Sequence, residues 1–225
     1  LEDAQALLEE QQQLLADAQT LLEDQQLIVA SQQEQLDEQQ AQLDELVGVR
    51  KRIIASLGDA LTAAKISAAV DPSTGSIVLD SSILFKTGAY DLSENGKKMI
   101  DRFLPVYLNV LFSAEYKSNI SEIIIEGHTD SQGDYLSNLA LSQNRALAVA
   151  SYILSDECTA ITNATKTYLR SIITANGRSE SQLIYNTDGS ENKSASRRVE
   201  FKFRLQDEQM IQQMIDLLSN MGQEE

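Results

Sequence analysis

The stretch Ile123 to Ile153, IIIEGHTDSQGDYLSNLALSQNRALAVASYI, constrains the fold more than any other part of the chain. Its apolar start, Ile123, Ile124 and Ile125, is short, β-branched and closed by Gly127. That predicts a buried strand with His128, Thr129 and Asp130 at its exit. From Tyr135 the apolar period becomes helical: at about 100° per residue, Asn138, Leu141, Ser142, Arg145, Val149 and Tyr152 share one face. The exit of such a strand is where open sheets keep their binding residues. Arg145 shares its stripe with apolar residues, and a guanidinium leaves water only with a partner. A carboxylate, the protein's own or a ligand's, is therefore expected beside it, and Asp130 is the nearest in sequence.

Elements of both kinds alternate around this unit. A strand is expected over Ser76 to Asp80, a short apolar piece over Ile83 to Phe85, and a helix from Ser93, whose hydroxyl can cap it. Met99, Ile100, Phe103, Leu104, Tyr107, Leu108 and Leu111 supply that helix's apolar face, and Pro105 should kink or divide it. After the Arg145 helix come a helix near Thr165 to Ala175 and a strand over Val199 to Leu205. The fold class is α/β: a sandwich of a small mixed sheet with helices on one face, over residues 76–206. A last helix is expected over Asp207 to Met221, in a C-terminal segment 207–225.

Residues 1–47 are of a different kind. They hold thirteen glutamines and a near repeat, LEDAQALLEEQQQL then LADAQTLLEDQQLI, with no Pro or Gly before Gly48. Leu1, Leu8, Leu15, Leu22, Val29, Leu36 and Leu43 recur at a seven-residue step, joined by Leu7, Leu14, Leu21 and Ile28. A long N-terminal helix is expected, running for about 70 Å at ~1.5 Å per residue. The row three positions on reads Ala4, Gln11, Ala18, Gln25, Gln32, Gln39, Leu46, so only one of two coiled-coil core rows is apolar and pairing would be weak. The segment reads as an acidic stalk and coiled coil that pairs as a homodimer, with a solvated single helix as the alternative. Helical pattern resumes from Val49 to about Val70 and is stopped by Asp71-Pro72-Ser73-Thr74-Gly75, which sets a connector over 48–75.

Charge excludes one class of partner. The net charge is −16, and the first 49 residues carry twelve acids and no Lys or Arg, so three quarters of the excess sits in the stalk. Nothing supplies the basic stripe that grips phosphates, and nucleic-acid binding is set aside. No run of 18 consecutive apolar residues is present to span a membrane. The sequence opens at Leu1 in helix-forming residues, without a methionine or signal peptide. It is therefore expected to be a fragment that lacks its natural N-terminus and a membrane anchor.

Catalysis finds little support. His128 is the only histidine, no G-x-S-x-G elbow accompanies it, and its simplest role is to hydrogen-bond the turn. One histidine and one cysteine, Cys158, supply no recognisable metal cluster, so neither metal nor cofactor is expected. A paired-carboxylate glycosidase stays open on sequence alone, because carboxylates are plentiful and their separations unknown.

EGHTD followed by Asn138, Leu141, Ser142, Arg145, Ala146 and Val149 resembles the N-x-x-L-S-x-x-R-A-x-x-V signature of OmpA-like peptidoglycan-binding domains. Such domains end MotB-type stator proteins and peptidoglycan-associated lipoproteins. SRRVEFKF, Ser196 to Phe203, resembles the family's closing N-R-R-V-E-F strand, and the likeness covers Ile77 to Leu205. Two departures stand out: Gly177 to Leu183 reads GRSESQL where many members have G-Y-G-E-x-x-P, and Ser196 replaces the asparagine before the paired arginines.

The resemblance implies non-catalytic binding of peptidoglycan, with Asp130 and Arg145 as the central residues. A fixed carboxylate beside a fixed guanidinium suits a zwitterion, such as the side-chain end of diaminopimelate in a stem peptide. Asn138 would hold the turn or touch the peptide, Thr129 lies beside Asp130, and of the paired arginines Arg198 is expected to reach the site. Asp130 and Arg145 could instead simply pair with each other. The expected setting is extracytoplasmic, with a membrane-embedded motor or channel subunit as a further partner. The alternatives are a protein-interaction module acting through the stalk and C-terminal helix, and a peptidoglycan hydrolase.

Overall fold

The computed structural model describes residues 2–206 and divides the chain between Val47 and Gly48 into two compact units. The described residues of the first unit all belong to helix α1, Glu2–Ala63. Its glutamines have a local use: the amides of Gln13, Gln33 and Gln40 each donate to an aspartate four residues on, Asp17, Asp37 and Asp44, at 2.9–3.0 Å. Such pairs stabilise a helix that packs on little else. Leu8, Leu14, Leu15, Leu21, Leu22, Ile28 and Val29 are all more than half exposed, so the leucine row lies open from Leu8 to Val29, while Leu36 and Leu43 are half-buried.

Within the second unit, Val49, Ile53, Leu57 and Leu61 recur every four residues and are buried in its core. The helix expected to reach Val70 stops at Ala63. Lys65 turns the chain with a φ of +52°, and Ala69–Val70 form strand β1 instead. Val70 is β-branched and finds a partner in Ile77 across the turn, and that pairing outweighs a helical continuation. The turn is held by the Asp71 carboxylate, which accepts from the Ser73 and Thr74 amides and from the Ser73 hydroxyl. Gly75 closes it with a φ of +73°.

Strands β2 (Ile77–Asp80), β3 (Ile120–Gly127), β4 (Ile173–Gly177) and β5 (Arg198–Leu205) complete a five-stranded sheet ordered β1-β2-β5-β3-β4. Only β3 and β4 run parallel, so the sheet is mixed, as expected. Alternation sends Ile77, Leu79, Ile123, Ile125, Val199, Phe201 and Phe203 into the core, with the helices on that side. Glu122, Glu126, Arg198, Glu200, Lys202 and Arg204 fall on the opposite face.

Helix α2 spans Ser81–Leu84 and α3 spans Glu94–Leu111, with the Ser93 hydroxyl accepting from the Gly96 amide as its cap. Pro105 sits inside an unbroken α3, so of the kink or division expected there, division does not occur. Phe103 and Tyr107 of α3 stack at 5.2 Å and close on Phe201 of β5, which fixes helix to sheet. Helix α4 spans Tyr135–Leu154, capped by Asp134. The helix expected over Thr165 to Ala175 is only α5, Asn163–Leu169; Ile173 onward is β4, whose parallel neighbour β3 recruits a segment with little pattern of its own. A short α6, Lys193–Ser196, precedes β5. The expected helix from Asp207 lies outside the described residues. No helix among them is long and apolar enough to cross a membrane.

Candidate functional site

The site forms where β3 and β4 end against α4. A side chain at Gly127 would put its Cβ 2.1 Å from the Ser142 carbonyl oxygen, and one at Gly177 would lie 2.5 Å from the Gln143 amide. Glycine at both strand ends lets α4 lie directly on the sheet, and this brings Arg145 level with the turn that carries Asp130. The loop of departures from the family pattern then fastens that turn. Ser179 accepts from the Thr129 amide at 2.9 Å through its carbonyl, takes the Ser142 hydroxyl as acceptor for its own amide, and donates its hydroxyl to the Tyr135 carbonyl.

Asn138 ties the turn down: its amide nitrogen donates to the Gln132 carbonyl and the Glu180 carboxylate, both at 3.1 Å, and at 3.4 Å to the Asp130 carbonyl. The buried Asp130 carboxylate accepts from the Gln132 amide at 3.1 Å and from Arg197 Nη1 at 2.5 Å. Thr129 is buried with its hydroxyl lacking a hydrogen-bond partner.

Arg145 is buried without an ion pair to Asp130 among the described residues. Its Nε donates to the Ala89 carbonyl at 2.9 Å, and its guanidinium carbon lies 5.2 Å from the centre of the Phe85 ring. This stacking and single backbone bond fix the plane of the group while Nη1 and Nη2 stay available. Burial and the Arg197 charge lower its pKa, and Asp130 opposes that shift.

Asp130, Arg145 and Arg197 line one cavity of about 950 Å³ with Thr129, Asn138 and the 81–95 segment. That segment contributes Phe85 and Lys86. Four charged groups therefore line it: three cations, Lys86, Arg145 and Arg197, against Asp130. On a chain of net charge −16, this is a local anion-attracting pocket that retains one carboxylate for a cation.

Arg198 corrects the sequence reading. It is buried on the opposite sheet face, where Nε bonds Glu200 at 2.5 Å and Nη1 donates to the carbonyls of Gln182 and Ser196. Arg197, half-exposed at the edge of α6, takes the place at the cavity. Strand alternation says that adjacent arginines diverge, but not which one faces the site. Phe85, Lys86 and Ala89 were missed altogether, since no motif marks a stretch that serves through a carbonyl and a ring face.

A mixed sheet covered on one side, with an acid turn and a buried arginine joined in one cavity, defines an OmpA-like domain. The OmpA family model matches residues 84–198, and the chain belongs to that family. Among curated proteins it is similar to the Zorya protein ZorB of two Escherichia coli strains. One is 33% identical over 141 residues, 59% of this chain and 58% of that protein; the other is 32% identical over 123 residues, 53% and 48%. The matches thus span about half the length of these relatives. Among solved structures, a MotB-like protein from Desulfovibrio vulgaris superimposes with a TM-score of 0.52 at 21% identity, covering 72% of this chain and 94% of that one.

Proposed function

We propose that the 48–206 unit binds the stem peptide of peptidoglycan without cleaving it, and so anchors an envelope complex to the wall. The observation that carries this reading is the cavity that joins the Asp130 carboxylate to the Arg145 guanidinium. Diaminopimelate ends in an ammonium and a carboxylate on one carbon. The ammonium is matched to Asp130, whose carboxylate has acceptor capacity beyond its two present bonds; the carboxylate is matched to Nη1 and Nη2 of Arg145. Arg197 and Lys86 draw further stem-peptide carboxylates to the rim. Family membership and the likeness to ZorB support this assignment, and they also support an extracytoplasmic setting beside a membrane-embedded motor subunit.

The exposed leucine row of the first unit supports pairing with a second copy of the chain. Two domains on one stalk convert the second wall contact into an intramolecular one, which strengthens attachment by ~10²-fold or more without new contacts.

Sedimentation with purified, protein-free sacculi tests the assignment, using wild type beside Asp130→Asn and Arg145→Lys variants. Both variants preserve volume and keep the fold within reach. Each is expected to lose about 10- to 100-fold in binding, the equivalent of one charge-assisted contact. Equal sedimentation of all three folded proteins would remove Asp130 and Arg145 from the site. Muropeptide products in the supernatant would favour the hydrolase reading.

A further inference from the structure

On the sheet face away from the core, Glu126 of β3 and Glu200 of β5 are direct cross-strand partners. Like charges so placed repel, and both carboxylates are buried, so the pair persists only with cations between or beside them. His128 closes the third side. Its Nε2 lies 3.7 Å from Glu126 Oε2 and 3.7 Å from Glu200 Oε1. The ring is fully buried, and neither nitrogen has a hydrogen-bond partner. A buried imidazole with two unused nitrogens, aimed at two carboxylates, is left over by the wall-binding chemistry and is not the turn-bonding histidine that the sequence suggested.

We propose that Glu126, His128 and Glu200 bind a divalent transition-metal ion of the zinc class, which clamps β3 to β5. One ligand atom from each residue lies within 4.8 Å of the others. Tetrahedral ligands at ~2.1 Å from zinc stand about 3.4 Å apart, so the two 3.7 Å separations need to close by only a few tenths of an ångström. The imidazole favours zinc, nickel or cobalt over magnesium or calcium. Burial and the Arg198 charge keep that imidazole neutral, the form that ligates. Three protein ligands leave a fourth position for water.

The cations around the cluster set the terms of binding. Lys202 bridges both carboxylates, at 3.0 Å from Glu200, and Arg198 bonds Glu200. Arg178 lies 3.8 Å from Glu126, and the Ser76 hydroxyl donates to Glu200 at 2.9 Å. Lys202 stands where a metal would neutralise the pair, and its side chain, 24% exposed, has a way out to solvent. A metal therefore competes with the Lys202 ammonium for Glu126 Oε2, while at Glu200 it shares Oε1, the oxygen facing His128, with Arg198 Nε and leaves Oε2 to Lys202.

The test is zinc titration of the full, tag-free chain against a chromophoric chelator, with thermal melts and the visible spectrum of the cobalt form. Wild type is expected to take one equivalent more than His128→Asn or Glu200→Gln, to melt higher with zinc but not with magnesium, and to give a tetrahedral cobalt spectrum. Lys202→Met is expected to bind zinc at least ~10-fold tighter, because it removes the competing charge; a residue serving only the fold would not produce that gain. Equal zinc uptake by wild type and the two ligand variants, or no tightening in Lys202→Met, would overturn the proposal. If Glu200→Gln fails to fold, His128→Asn and Lys202→Met still decide it.

Discussion

Arg197 and Arg198 are adjacent in sequence and divide between two sites: Arg197 lies 2.5 Å from the Asp130 carboxylate at the cavity, and Arg198 lies 2.5 Å from Glu200 on the far face of the sheet. Their substitutions should separate binding from stability. Arg197→Ala is expected to weaken sacculus binding and to cost less stability than Arg198→Ala, since its own side chain is 42% exposed even though it pairs with the buried Asp130 carboxylate. Arg198→Ala leaves the buried Glu200 with Lys202 as its remaining charge partner and should cost about 2 kcal/mol or more. Urea melts beside sacculus sedimentation check both; the reverse pattern would exchange the two roles.

Glycine positions give a second separation. Gly127→Ala sets a Cβ against the Ser142 backbone at 2.1 Å and must push α4 off the sheet, so loss of both stability and binding is expected. Gly58→Ala, inside α1 with nothing within 4 Å of the new Cβ, should stabilise by about 0.5–1 kcal/mol. Thermal melts of the two variants should move in opposite directions.

Acid should unfold the second unit by way of His128. Burial, then the Arg198 charge, lowers its pKa from 6.5 to about 3. Between those values the unfolded chain takes up a proton that the folded chain refuses. Stability therefore falls as pH drops through that window, by up to ~1.4 kcal/mol per pH unit. For Glu200, burial raises the pKa, but the charges of Arg198 and Lys202 outweigh it and hold the group at about 2. Its contribution is present above about pH 4.5 and is lost as pH falls toward 2, which steepens the acid limb. His128 is the only histidine, so its ring-proton NMR signal can be followed alone. No titration from pH 8 to 5 is expected in metal-free buffer; an inflection near 6.5 would contradict this account.

Twelve acids without a base in the first 49 residues oppose stalk pairing, and salt should relieve the repulsion. Sedimentation velocity is expected to show more self-association at high salt than at low salt. An unchanged mass throughout would remove this predicted dependence on charge.

The sequence was most legible where pattern and burial coincide. Ile123 to Ile125 and the α4 stripe through Arg145 could be read from periodicity, because the side chains that set the period also set the packing, and the helical course of the first unit could be read from its composition and lack of Pro or Gly. Strand β4 could not: Ile173-Thr174-Ala175-Asn176-Gly177 carries little signal, and its conformation comes from pairing with β3. The same distinction holds at the site. Asp130 and Asn138 lie in a local motif, whereas Phe85, the Ala89 carbonyl and the cross-strand pair Glu126 and Glu200 are assembled by tertiary register, which residue spacing does not encode.

The most direct test of the account is calorimetric titration of this chain with two muropeptides that differ only in the third stem residue, diaminopimelate or lysine. Lysine keeps the ammonium and lacks the carboxylate matched to Arg145. Wild type is expected to bind the diaminopimelate form at least ~10-fold tighter, and Arg145→Lys should narrow that gap. Equal affinities of wild type for the two muropeptides would contradict the pairing of Asp130 and Arg145 as a zwitterion site.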